Sequence, residues 1–332
     1  MKKLILLFLG LLLISCGGDK DDVITKKLRT FTLSVTASEG GSVDYNNLTG
    51  GVFLDGDLVN VSANADIDHY FIGWSNGSKE NPIQISVNSN ISIKAKFINK
   101  KDLITRFDQI VIGNGENGPR FTVRWKQMKV FLEGTATTEF DNELLNFINE
   151  LNLILDNDSE FLSSKVVSFS ESNVHVFITD ADTYKEAYPD YENTPLEEYW
   201  GYAGWNFNGD GVIYKGNVFV NSSEMLANYI IQWTISHELG HVLGLKHTED
   251  ITSIMHQNYR EGINDVFSDL DKEALRFLHD ERMTIFSDSD EAKSILEEIL
   301  GINVGKTFKN NSNTDFIKKS KSANIVFACS KN

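Results

Sequence analysis

The stretch HELGHVLGLKH, residues 237–247, constrains this chain more than any other segment, because it fixes the spacing of three histidines and one glutamate. His237 and His241 are four residues apart, so on a helix they share one face and can bind one metal ion. Gly244 can adopt the left-handed backbone conformation that ends a helix. The chain can then turn back, and His247 can reach the same ion from outside the helix.

The residue types in this stretch predict a catalytic zinc site. The imidazoles of His237, His241 and His247, called the histidine triad below, leave the fourth tetrahedral position of one Zn²⁺ ion open. An open position is typical of catalytic rather than structural zinc. Glu238 is then not a ligand but the general base that takes a proton from the attacking water. The alternative interpretation is a buried amphipathic helix whose histidines pair with carboxylates.

The same stretch resembles the extended zinc motif of the metzincin endopeptidases and matches it at every fixed position. Met255 lies eight residues after His247, where the family's Met-turn places a methionine beneath the zinc histidines. A helix predicted over Phe267–His279, capped by Ser268 or Asp269, is most similar to the matrixin branch. The resemblance implies an α+β catalytic domain with a twisted sheet, an active-site helix and a C-terminal helix. It also implies a protein or peptide substrate.

Patterns upstream of the motif fit a peptidase domain over residues 119–283. Apolar periodicity predicts a helix over Glu139–Leu155. Alternation predicts strands over Arg124–Gly134, Asn173–Thr179, Gly201–Phe207 and Gly216–Asn221. The resemblance implies that an extended substrate pairs with the edge strand, which here is Gly201–Phe207.

Three residues after the Met-turn are candidate substrate-pocket residues: His256, Gln257 and Tyr259. Some metzincins carry a tyrosine two residues after the Met-turn methionine, where it binds zinc or the oxyanion, but this chain has Gln257 there. Tyr259 either takes that role or lines the wall of the pocket. Matrixins also carry a propeptide cysteine that covers the zinc, and this chain has no candidate. We therefore expect activity without maturation beyond signal removal, although Asp108 or another carboxylate of residues 100–118 could cover the zinc instead.

The N-terminus predicts export and a lipid anchor. Two lysines precede an apolar run over Leu4–Ile14 that is too short to span a membrane comfortably. The residues LISC that end at Cys16 resemble a bacterial lipobox, which implies cleavage before Cys16 and its acylation; a plain secretory signal is the alternative. Acidic residues soon after Cys16 resemble a surface-export tag, so we expect an outer-membrane lipoprotein that faces the exterior. Acylated Cys16 would leave Cys329 without a disulfide partner.

The net charge of −16 limits the classes of partner that the protein would attract. It argues against binding to nucleic acid and against electrostatic adhesion to anionic lipid, so acyl chains rather than charge would hold the protein to the membrane. We expect a monomer. The length predicts more than one domain.

Residues 31–99, called the repeat module below, form a separate β-rich unit between a tether over residues 16–30 and a linker over residues 100–118. Short alternating strands are predicted over Phe31–Ala37, Leu58–Ala63, Ile83–Val87 and Ile91–Phe97. The F-x-G-W around Trp74 and the closing A-x-F at Phe97 resemble the divergent internalin-type repeat of bacterial surface proteins. Trp74 is either a core residue or a binding platform for sugar or protein.

Two further segments carry weaker signals. Residues 206–211, NFNGDG, are typical of a strand–strand hairpin, and they also resemble the start of a loop that binds Ca²⁺. In the tail over residues 284–332, the sequence predicts a helix at Asp288–Leu300 and a mobile stretch over Lys306–Ser322.

The combined interpretation is a surface-anchored zinc endopeptidase. The alternative is a lipoprotein adhesin with a catalytically idle metzincin-like domain. The repeat module favours the adhesin, whereas the intact Glu238 favours the enzyme.

Overall fold

The computed structural model of the chain describes residues 29–45, 51–113, 119–135, 137–156, 160–223, 228–259, 266–302 and 324–330. The expectations for the signal segment, for Cys16 and for a mobile stretch within residues 303–323 lie outside these residues. Within the described ranges, no helix is long and apolar enough to cross a membrane.

The repeat module is built from short strands that pack around their own core. They are β1 (Thr30–Ala37), β2 (Gly41–Asp44), β3 (Gly51–Leu54), β4 (Asp57–Ala65), β5 (His69–Trp74), β6 (Ile83–Val87) and β7 (Ile91–Asn99). These strands form two sheets, with the orders β3-β1-β7-β5 and β2-β4-β6. The four predicted strands are confirmed, as β1, β4, β6 and β7. Trp74 is 2 % exposed within this apolar core, and its indole N–H donates to the carbonyl of Glu80. The interpretation of Trp74 as a core residue is therefore confirmed.

Residues 100–112 are helical and lie within the segment for which a linker was predicted, residues 100–118. Helix α1 (Lys100–Phe107) begins at Asn99, whose side-chain oxygen accepts from the backbone N–H of Lys101 (2.9 Å), and a π-helical turn (Asp108–Ile112) continues it. One apolar face of this segment enters the main core: Leu103, Phe107 and Ile110. Their spacing is helical, but the glycine-rich residues 113–118 that follow resemble a linker and obscured that pattern.

The remaining elements form the larger part of the molecule. They are β8 (Arg124–Trp125), β9 (Gln127–Gly134), α2 (Thr138–Ile154), β10 (Leu162–Lys165), β11 (Val174–Thr179), α3 (Ala181–Ala187), β12 (Tyr199–Phe207), β13 (Val212–Asn221), α4 (Asn228–Val242), α5 (Asp269–Leu278), α6 (Ser289–Ile299) and β14 (Asn324–Ser330). Short 3₁₀ turns lie at Phe169–Glu171, Pro189–Tyr191 and Leu196–Glu198. The predicted helices and strands of this region are confirmed, with one correction: the single strand predicted over Arg124–Gly134 is divided into β8 and β9, which pair with different strands. The α+β class is confirmed as well.

The main sheet has the order β10-β9-β11-β13-β12-β14, with β8 beside β13. Strands β9, β10, β11 and β13 are parallel, whereas β12 runs antiparallel to β13. The β12–β13 connection is a hairpin, in which the side-chain oxygen of Asn208 accepts from the backbone N–H groups of Asp210 and Val212 (3.0 Å each). The hairpin interpretation of this loop is confirmed. Strand β14 was not predicted, and it lies antiparallel on the outer edge of β12.

The repeat module packs against α5, the helix that closes the main core. The ammonium of Lys79 lies 2.7 Å from the carboxylate of Glu273. The rings of Tyr70 and Phe277 lie 5.8 Å apart between centroids. Both contacts join the module to buried residues of α5, so the module touches the peptidase region rather than standing apart from it.

Candidate metal centre and active site

Helix α4 and the turn after it bring the histidine triad together. The helix packs against β12 and β13, and it supplies His237 and His241, both fully buried. Gly244 has a φ of +93°, so the left-handed conformation predicted for it is confirmed. The chain turns at this residue, and His247 returns to the other two histidines.

The ring nitrogens of the triad converge on one point. The Nε2 atom of His241 lies 3.1 Å from the Nε2 atoms of both His237 and His247, and the remaining pair is 3.3 Å apart. Zinc–nitrogen bonds of about 2.0–2.1 Å at tetrahedral angles place the ligand atoms about 3.3 Å from one another. The triad therefore has the dimensions that one zinc ion requires.

The other ring nitrogens explain why a cation fits here. The Nδ1 atom of His237 lies 2.7 Å from the carbonyl oxygen of Ile254, and that of His241 lies 2.8 Å from the carbonyl oxygen of Leu245. A carbonyl only accepts, so both Nδ1 atoms carry the proton and both Nε2 atoms present lone pairs. Lone pairs that face one another at 3.1 Å repel unless a cation lies between them.

Burial also keeps the ligands in the form that a metal needs. Burial, and to a smaller degree the other two histidines, lowers the pKa of the His241 imidazole well below its usual range. The ring is therefore neutral near pH 7, and neutral imidazole is the form that binds metal ions.

Glu238 lies next to the triad in an unusual environment. Its side chain is fully buried, and among the described residues neither carboxylate oxygen has a hydrogen-bond partner. Burial raises the pKa of the Glu238 carboxyl well above its usual range. Gly201 of β12 lies against it, because a Cβ atom at position 201 would come within 2.5 Å of Glu238 Oε1. A buried carboxylate without partners is costly, so such a group is a candidate for a role in chemistry.

The Met-turn lies directly beneath α4. The Sδ atom of Met255 occupies the space that a side chain at Gly240 would need, so the motif's glycine permits this contact. The backbone N–H of Thr248 donates to the carbonyl of Met255 (3.0 Å), which joins the Met-turn to the segment after His247.

A buried ionic network holds the Met-turn from below. The hydroxyl of Ser253 donates to Asp271 of α5 (2.8 Å), and Asp271 is paired with the guanidinium of Arg106 from α1. The same guanidinium reaches Asp250. Arg106 was not predicted as part of the site. Asp108, which was considered as a cover for the zinc, accepts a hydrogen bond from Ser289 of α6 instead (2.5 Å).

An aromatic row lies on the His237 side of the site. The indole of Trp233 stacks on His237 with 4.6 Å between ring centroids, and the ring of Tyr259 meets Trp233 edge-on at 5.7 Å. Trp233 was missed in the sequence, although it lies four residues before His237 and so shares its helical face. Of the other candidate pocket residues, His256 is buried and Gln257 is exposed.

Comparison with protein families agrees with this geometry. Residues 154–279 match the family model described as matrixin, and residues 31–101 match the divergent InlB B-repeat domain. No curated protein matches the chain. The matrixin match covers β12, α4, the histidine triad and α5. The chain therefore combines a matrixin-type metzincin domain, from a family of zinc metallopeptidases, with a divergent InlB B-repeat domain on its N-terminal side.

Proposed function

We propose that this protein is a zinc-dependent endopeptidase in which the histidine triad holds the metal and Glu238 is the general base. The convergence of the three Nε2 atoms beside the buried Glu238 carboxylate supports this proposal most directly. A zinc ion bound by the triad would polarise the scissile carbonyl and lower the pKa of a nearby water toward neutrality.

Glu238 transfers the proton. Its carboxylate takes a proton from the attacking water and later passes it to the leaving amine. Among the described residues, neither oxygen of the carboxylate has a hydrogen-bond partner. This suits the role of a base, because no other hydrogen bond competes with the attacking water for the carboxylate. Gly201 brings the backbone of β12 against Glu238, so a peptide paired with β12 would present its carbonyl groups beside the base.

The aromatic row forms one wall of the pocket for a substrate side chain. Trp233 and Tyr259 lie beside His237, so they would contact a side chain near the scissile bond. These contacts favour Tyr259 as a wall residue rather than as a ligand for the oxyanion.

Glu238→Gln tests the assigned base. Removing the base should lower the rate of peptide cleavage about 10²- to 10⁴-fold. Zinc content should stay at one per chain, because Glu238 is not a ligand. His241→Ala is the matched variant that should lose the metal. Equal cleavage by the parent chain and by Glu238→Gln would show that another group is the base, and full zinc in His241→Ala would remove the triad from the metal site.

We also propose that a lipid on Cys16 anchors the enzyme to the outer membrane, with the peptidase domain on the exterior. The LISC sequence that spans the cleavage point and the acidic residues that follow Cys16 support this location. The chain's net charge of −16 offers no electrostatic attraction to anionic lipid, so the acyl chains would supply the attachment.

A further inference from the structure

The edge of β12, where an extended substrate is expected to pair, is already occupied by β14. The two strands run antiparallel, with Tyr202 opposite Ala328 and Ala203 opposite Phe327. At the end of the ladder nearest the base, the backbone of Gly201 pairs with that of Cys329. Gly201 is the residue that lies against Glu238. A backbone strand of this chain therefore runs past the catalytic residues along the outer edge of β12.

The side chain of Phe327 joins this strand to the metal site. Its ring is 6 % exposed and lies parallel to the imidazole of His241, with 4.4 Å between ring centroids. Its neighbour Val326 packs instead on the aromatic cluster around Tyr202, on the other face of the sheet. Alternation along β14 thus directs one large side chain to the metal ligands and the next one away from them.

A substrate peptide and β14 therefore compete for the same backbone groups of β12. A peptide that pairs with β12 needs the same edge N–H and C=O groups that β14 uses. With β14 in place, the side chains of His241 and Glu238 are fully buried. A substrate cannot pair with β12 until β14 leaves.

We propose that the β12 edge and the His241 ring form a groove for an extended, uncharged peptide with an aromatic side chain at the Phe327 position, and that residues Asn324–Ser330 occupy this groove in the resting chain. This inference rests on the proposed function, because it names the substrate class and the regulation of that same site. The occupant fits the groove chemically: NIVFACS carries no charge, contains two β-branched residues and places a phenyl ring on a neutral imidazole.

The first test measures peptide binding without turnover. Full-length protein with Glu238→Gln and zinc bound is titrated with a fluorescent peptide of residues 322–330, with serine in place of Cys329. Adding Phe327→Ala should raise the affinity about tenfold or more, because the resident strand loses its stacked ring. Val326→Ala shortens a side chain of the same strand on the opposite face, so its effect should be clearly smaller. The probe peptide with alanine at the Phe327 position should bind about tenfold more weakly.

Several results would overturn the inference. One is equal affinity of all variants for the probe, with unfolding temperatures that show each variant to be folded. Another is an equal gain from Val326→Ala and Phe327→Ala, which would remove the role of the aromatic ring. A third is a Cys329→Ser variant whose affinity for the probe rises as much as that of Phe327→Ala. A thiol–metal contact, rather than strand pairing and the aromatic ring, would then hold the tail in the groove.

A second readout separates this inference from the proposed function. With Glu238 intact, Phe327→Ala should lower the KM for peptide substrates and leave kcat unchanged, as expected when an internal competitor is weakened. Better probe binding without cleavage by any variant would refute the enzyme and keep the groove. Cleavage by the parent chain with the same KM as Phe327→Ala would refute the internal competitor and keep the enzyme.

Discussion

Gly201 sets the distance between β12 and the proposed base, so replacing it with alanine tests the site at its closest contact. A Cβ atom at this position would lie 2.5 Å from Oε1 of Glu238 and 2.5 Å from Cγ2 of Thr234. Carbon contacts are favourable at about 3.5–4.0 Å, so the neighbours must retreat by about 1 Å. Thr234 is β-branched, and its hydroxyl donates to the carbonyl of Ile230 (2.8 Å), so it has little freedom. The Glu238 carboxylate should move instead, because it has no hydrogen-bond partner in the part of the chain that the structure describes.

The expected result of Gly201→Ala is a loss of activity without a loss of metal. A misplacement of about 1 Å at a reacting group can cost about 10²-fold in rate, so kcat/KM for a peptide substrate should fall by about that factor. Overpacking should lower the free energy of unfolding by about 1–3 kcal/mol. Zinc content should remain at one per chain, because Gly201 lies against the base and not against the ligands.

The assay compares peptide cleavage, zinc content and urea unfolding for the parent chain and two variants. Gly209→Ala is the matched control, since it makes the same substitution in the β12–β13 hairpin with nothing within 4 Å of the new atom. It should leave all three measurements close to those of the parent. Full activity of a folded, zinc-loaded Gly201→Ala would refute the argument that β12 positions Glu238. Activity of Gly201→Ala equal to that of Gly209→Ala would do the same.

Two further predictions concern the anchor and the pH dependence of stability. Cys16→Ala should move the protein from the membrane fraction to the soluble fraction, because the acyl chains would supply the attachment; unchanged membrane association would contradict the lipid anchor. Burial, opposed in part by Glu133, lowers the pKa of the His175 imidazole. As the pH falls below the unfolded value of about 6.5, the unfolded chain binds the proton first and the free energy of unfolding falls, by at most about 1.4 kcal/mol per pH unit. His175→Phe should remove this part of the pH dependence, which urea unfolding at about pH 5.5 and about pH 7.5 would measure. An identical pH dependence of the free energy of unfolding in parent and variant would show that His175 does not contribute.

Local patterns predicted much of the fold and the centre of the site. The spacing of the histidine triad reflects one helix and one turn, so the sequence alone indicated that the three rings meet. Helix α5 was predicted with Ser268 or Asp269 as its cap. The structure shows Ser268 in a capping box with Asp271, which is also a local arrangement. Short-range spacing of this kind can be read without knowledge of the tertiary structure.

The features that were missed depend on contacts between distant segments. Arg106 meets Asp271 across 165 positions of the chain, and neither residue carries a local signal of that pairing. The β14 segment is apolar and contains β-branched residues, so a strand was compatible with its sequence. Its pairing with β12 and the stacking of Phe327 on His241 could be seen only in the structure.

The Arg106 network shows that the support of the histidine triad extends to α1. Asp271 is fully buried, and through Ser253 it holds the Met-turn beneath the histidine triad. Its cation comes from α1, before residue 119, where the peptidase domain was expected to start. Removing one partner of a buried ion pair typically costs about 3–5 kcal/mol, because the other charge stays buried without compensation. The segment after the repeat module therefore helps to support the histidine triad, since the Met-turn depends on an arginine that α1 supplies.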